Sequence, residues 1–199
     1  MKNLIIALTC ILFAKTVSAQ TDSLAFDENN KYIYYQTVEQ AGLNKDTLYT
    51  RALYFIKKSV TGNKLKLSKA DEVLGTLTGK GSFMITKKTL VLAGVGGEID
   101  YSLRIEVKDA KYRYWFTDFV FIPYQRDRYG MDVPTPGVYI PLENAKRKID
   151  AKDVAAYLDK ILQNSRQVGS VLKSYMLKIS SMPKPKADKA IKKISTKEW

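Results

Sequence analysis

The residue types that most often carry catalysis are nearly absent: the 199 residues include no histidine and one cysteine, Cys10. Cys10 lies in an N-terminal apolar run that reads as a removable signal. A histidine general base, a cysteine nucleophile and a cysteine/histidine zinc site are therefore excluded from the mature chain. An enzyme built from this sequence would need a serine–lysine pair, a carboxylate pair or a carboxylate metal site. Ser170-Val171-Leu172-Lys173 matches the Ser-x-x-Lys pattern, yet it falls late in a helical stretch and no companion Lys-Thr-Gly or Ser-Asp-Asn follows. Gly79-Lys80 sits in a glycine-rich segment, but Gly81 stands where a phosphate loop needs Ser or Thr. Gly94-Val95-Gly96-Gly97 fails the dinucleotide pattern because Ile99 takes the last glycine position. Asp100 and Glu106 share a strand face about 20 Å apart at 3.4 Å per residue, too far to act as a pair. No catalytic residue, metal site or cofactor is expected.

What remains is chemistry of recognition. Trp115, Phe119 and Phe121 alternate along one strand and are interleaved with Arg104 and Arg113 across a hairpin. Aromatic side chains with arginine are the types that anchor interfaces. Three readings of this face stand open: the loop over residues 124–141 folds across it, a partner binds it, or copies of the chain associate through it. The expected function is a non-catalytic binding or assembly module. The alternative is a hydrolase-type enzyme with an unrecognised Ser/Lys or carboxylate site.

The elements that position these residues are legible from periodicity. Tyr32 to Val38 is aromatic and β-branched, as in a first strand. Asn44 caps a helix from Lys45 to Lys58, with Leu43 and Leu48 as a hydrophobic staple and Gly62 as its stop. Leu65 and Leu67 alternate with lysines. After a turn near residues 70–72, Val73 to Ile85 reads as a strand whose Gly75, Gly79 and Gly81 share one face and admit a close helix or a bulge. Thr89 to Val95 is a possible extra strand.

With Asp109-Ala110 as a two-residue turn, the Glu98–Ile122 hairpin sets Val107 opposite Tyr112, Ile105 opposite Tyr114 and Leu103 opposite Phe116. The same register sets Tyr101 against Asp118 and Ile99 against Val120. On the other face it pairs Glu106 with Arg113, Arg104 with Trp115 and Ser102 with Thr117. A second helix of about 26 residues starts at the Asp150 cap and carries the stripe Val154, Leu158, Ile161, Ser165, Val168, Leu172, Tyr175.

The ends differ from this body. Residues 1–19 carry a basic start, a short apolar run and Val17-Ser18-Ala19, the pattern of a cleavable export signal. That run is too short to span a bilayer, and no later segment is apolar enough to cross one by helix. Residues 20–30 read as a polar leader, 31–179 as one domain and 180–199 as a lysine-rich, disordered tail. Net charge is +13, and loss of Lys2 and Lys15 with the signal leaves +11. For an exported protein this favours an envelope protein, an anionic envelope polymer or a lipid surface over nucleic acid.

Asp46-Thr47-Leu48-Tyr49-Thr50-Arg51-Ala52, the glycines from Gly75 to Gly81 and, above all, residues 101–114 (Tyr101-Ser102-Leu103-Arg104-Ile105-Glu106-Val107 and the turn that follows) carry a resemblance. Over about residues 34–177 the chain resembles the domain of unknown function 4468 family (DUF4468). The resemblance implies a TBP-like α+β fold: a twisted antiparallel sheet with an N-terminal and a long C-terminal helix on one face, in the order β-α-β-β-(β)-β-β-α. It also implies an exported protein of a Gram-negative envelope, with no assigned activity to carry over. Ala110 departs from the family's usual Asp-Gly turn.

Overall fold

The computed structural model describes residues 24–58, 65–88 and 93–177. In chain order these form β1 (Ala25–Phe26), β2 (Tyr32–Glu39), α1 (Lys45–Lys58), β3 (Lys66–Asp71), β4 (Thr76–Lys88), β5 (Ala93–Lys108) and β6 (Lys111–Arg126). There follow β7 (Asp132–Pro134), β8 (Ile140–Pro141), a 3-10 helix (Leu142–Arg147) and α2 (Ala151–Leu177). The sheet order is β1-β2-β6-β5-β4-β3, all antiparallel, with β7 and β8 also on β6. The α+β architecture is the expected one.

Both helices begin where their caps put them. The Asn44 Oδ1 accepts the Thr47 N–H at 3.0 Å, and the Asp150 Oδ1 accepts the Lys152 N–H at 2.8 Å. Leu48, Ala52, Phe55 and Ile56 of α1 and Val154, Tyr157, Ile161, Val168, Leu172 and Met176 of α2 are buried. Tyr157 and Met176 enter the core where the sequence suggested Leu158 and Tyr175, which are only partly buried. The helices meet through Phe55 and Tyr175, edge to face at 5.7 Å. Buried Arg51 donates to the Met176 carbonyl, placing a cation at the C-terminal end of α2, whose own last turn has none.

A glycine does bring helix and sheet together, but not in the strand that suggested it. A Cβ at Gly169 of α2 would stand 2.4 Å from the Tyr114 hydroxyl. Gly75 instead closes the β3–β4 turn at φ +67°, and Gly81 lies beneath the Tyr101 ring, where a Cβ would meet it at 2.5 Å.

The β5–β6 hairpin follows the predicted register from the turn to Ser102–Thr117. Ala110 takes φ 58° in the turn, at a cost of roughly 1 kcal/mol for a left-handed alanine. The connection before α1 holds it there. The Gln40 N–H donates to the Ala110 carbonyl at 2.7 Å, the Ala110 N–H to the Leu43 carbonyl at 2.9 Å, and the Lys45 N–H to the Asp109 Oδ1 at 2.8 Å.

Beyond Thr117 the register shifts. Asp118 adopts φ 56°, Asp118 and Phe119 together oppose Tyr101, and Ile99 pairs with Phe121 instead of Val120. One extra residue inverts which side chains face the core. Phe119 is 1% exposed and Phe121 4%, the latter with its ring 4.6 Å from that of Tyr157. The expectation that both project outward is corrected: they belong to the core under α2.

Three further expectations change. The polar leader folds from Leu24 onward, with β1 on β2 and an Asp27 Oδ1 that accepts the Asn29 and Lys31 N–H groups. Of the extra strand expected over Thr89 to Val95, residues 93–95 form the start of β5 and residues 89–92 lie outside the described residues. The 124–141 segment does not cross the sheet: β8 pairs with β6 at Val120 and Phe121, on the edge that β2 leaves beyond Phe116, and β7 pairs at residues 124–126. The signal, the Gly62 helix stop and the lysine-rich tail lie outside the described residues.

Candidate binding face

Because strand side chains alternate, the face opposite the helices collects the other half of β2, β6, β5 and β4. Before the bulge this puts Tyr35 and Thr37, Arg113 and Trp115, Arg104 and Glu106, and Thr76 and Thr78 in cross-strand rows. Of the five residues singled out by sequence, Trp115, Arg104 and Arg113 come together here, and Phe119 and Phe121 do not.

The cluster is cross-braced. The Arg104 and Arg113 guanidiniums lie over the Trp115 ring, 5.4 and 5.5 Å from its centroid. Glu106 accepts from both, from Arg104 at 2.9 Å and from Arg113 Nε and Nη2 at 2.8 and 2.5 Å. The Tyr35 ring stands 6.2 Å from the indole, and the Thr37 hydroxyl donates to the Tyr35 oxygen at 3.1 Å. That hydrogen bond first, and the Arg113 guanidinium after it, hold the Tyr35 phenol below the usual tyrosine range. Tyr35 is nonetheless 42% exposed and both arginines are about half exposed. Trp115 is half-buried.

Two recesses flank the cluster. One, of about 230 Å³, is lined by Tyr35, Thr37, Glu106, Arg113 and the lysines beside the hairpin turn, Lys108 and Lys111. The other, of about 540 Å³, lies toward β3 and is lined by Lys66, Lys80, Ser82, Ser102, Asp100 and Asp118. Asp118 is engaged by Lys31. Tyr35 and Lys66 escaped the sequence reading because they join the cluster through β2–β6 and β3–β4 pairing, which no local pattern encodes; Lys108 and Lys111 flank the predicted turn but were not singled out.

Serine and carboxylate also meet on this face. The Ser82 hydroxyl donates to Glu98 Oε1, and the Tyr124 hydroxyl donates to Glu98 Oε2 at 2.9 Å. The trio ties β4, β5 and the end of β6 together. Among the described residues, no three acidic side chains gather as a metal site, and no helix is long and apolar enough to cross a membrane.

Residues 34–122 match the model of the domain of unknown function DUF4468 with TBP-like fold. A DUF4468 family protein from Bacteroides ovatus superposes with a TM-score of 0.56 at 11% identity, covering 80% of this chain and 94% of that one. A TBP-like protein from Parabacteroides distasonis gives 0.56 at 16% identity, covering 77% and 97%. No curated protein matches the sequence. The match begins at Tyr34 in β2 and ends at Ile122 near the end of β6, so it takes in α1 and the pre-bulge register that carries the cluster. Over residues 34–122 this chain matches the DUF4468 family, and its fold is TBP-like.

Proposed function

We propose that the protein is an exported, non-catalytic binding module of the cell envelope, and that it engages its ligand through the open sheet face around Trp115. One observation carries this reading: an indole with two guanidiniums over it, both guanidiniums braced by Glu106, on a face that the 124–141 segment leaves uncovered. Side chains immobilised in advance lose little entropy on binding, which is what recognition gains from such bracing. The export pattern of residues 1–19 and the net charge of +13 support an envelope setting and an anionic partner.

The test is retention on immobilised envelope glycans and envelope membranes. Trp115→Ala is expected to abolish retention while leaving a single unfolding transition. Retention unchanged by Trp115→Ala would overturn the proposal.

A further inference from the structure

The open face carries two pairs of lysines placed directly opposite one another across strands. Lys108 pairs with Lys111 beside the hairpin turn, and Lys66 pairs with Lys80 at the β3 edge. Like charges in that position are destabilising. Neither Lys66 nor Lys80 has an ion-pair partner among the described residues. Between the two pairs lie Arg113 and Arg104, so six cations follow one diagonal; Glu106, which both arginines share, interrupts it, and Glu39 of β2 flanks its end opposite Lys111. From Lys108 to the row of Ser102 and Lys80 is six residues along β5, and β3 lies two strands further across. At 3.4 Å per residue and about 4.8 Å per strand, the track is on the order of 20 Å long.

Resting on the proposed use of this face, we infer that its ligand is an acidic polysaccharide laid along this track, with its acid groups on the two lysine pairs and the two guanidiniums. A compact anion would occupy one end only; two lysine pairs some 20 Å apart, one of them with no ion-pair partner, suit an extended polyanion. Hydroxyl side chains fill the rows beside the cations: Thr37, Thr76, Thr78 and Ser102. They suit a ligand rich in hydroxyls and offer no apolar pocket to anchor an acidic protein. A single-stranded nucleic acid would also bring regular charge, but its bases need a free aromatic face. Two guanidiniums already stand over the indole, so a base would have to displace one. Asp100, one row beyond Ser102 on β5, also lines the β3 recess and marks the end of the cationic track.

The probes are polygalacturonate, its fully methyl-esterified form, polyglutamate and oligo-dT, titrated into the full chain at low and at physiological salt. Polygalacturonate is expected to bind in a salt-sensitive way and the ester not to bind. Lys66→Gln/Lys80→Gln and Lys108→Gln/Lys111→Gln should each weaken polygalacturonate about tenfold, near 1.4 kcal/mol, with unchanged circular dichroism. No binding of polygalacturonate, equal binding of the ester, tighter binding of polyglutamate or oligo-dT, or indifference to both lysine pairs overturns the inference. If the pairs are indifferent but Trp115→Ala abolishes binding, the polysaccharide track fails and the use of the face stands. If Trp115→Ala changes nothing while the polymer binds, the face itself is wrong.

Discussion

The two halves of β6 carry equally aromatic sequences and do opposite things. From Tyr112 to Phe116 the strand alternates strictly, with Tyr112, Tyr114 and Phe116 in the core and Arg113 and Trp115 on the open face. From Phe119 to Phe121 the same alternation runs one residue out of step, and two aromatics that continue the outward series of Trp115 are core instead. The difference is one inserted residue, Asp118, held in a left-handed conformation and engaged by Lys31. Because a strand's side-chain period is two, one extra residue reverses every assignment beyond it. On β6 the proposed face therefore takes Trp115 but neither Phe119 nor Phe121, and the aromatic beside Trp115 is Tyr35.

The contrast breaks most sharply under truncation. Phe119→Ala and Phe121→Ala should each cost about 3–5 kcal/mol, as for other buried phenylalanines, and Trp115→Ala, half-buried, well under that. Urea unfolding of the three variants checks the order. Comparable losses for Trp115 and Phe119 would mean that both sides of the bulge face the same environment.

Gly81→Ala probes the bulge from the opposite strand. Tyr101, the residue that Asp118 and Phe119 jointly oppose, rests its ring on Gly81, and a methyl there would meet it at 2.5 Å. Overpacking of this kind costs roughly 1–3 kcal/mol. The same substitution at Gly94, where nothing lies within 4 Å, should be close to neutral in the same thermal melts.

Alkaline pH sharpens the comparison in the regular half. The Tyr112 hydroxyl is buried with no hydrogen-bond partner among the described residues, and burial pushes it up to about 12, against about 10 in an unfolded chain. Below pH 10 both states hold the proton, so nothing changes. Above it the unfolded state releases its proton first, and stability falls as pH rises from 10 toward 12. Tyr112→Phe should flatten that decline and, by removing an unsatisfied hydroxyl, leave stability at pH 7 unchanged or raised.

The smallest effect belongs to the turn. Ala110→Gly should raise stability by up to about 1 kcal/mol, since glycine takes φ 58° without strain; a loss would mean that the alanine is not strained.

How much of this was legible follows from the range of each interaction. The Asn44 and Asp150 caps, the Leu43–Leu48 staple, the α2 stripe and the hairpin register from Lys108 to Ser102 depend on residues near in sequence, and the chain displays them. Arg104 and Arg113 beside Trp115, with Glu106 facing Arg113, came from that register alone. Asp118 gave no warning, because a bulge need not carry glycine and aspartate tolerates the left-handed region. Tyr35 and the Lys66–Lys80 pair were hidden for another reason: strands far apart in sequence bring them to the face, and their own segments show only aromatic or leucine–lysine alternation.

The most direct test of the account asks where Trp115 points. With Trp199→Phe, Trp115 is the remaining indole of the two in the sequence. On an open cationic face its emission is red-shifted, and iodide quenches it more efficiently than caesium does, because Arg104 and Arg113 concentrate the anion beside the ring. Blue-shifted emission shielded from both ions would place Trp115 in a core with Phe119 and Phe121, and would contradict the account.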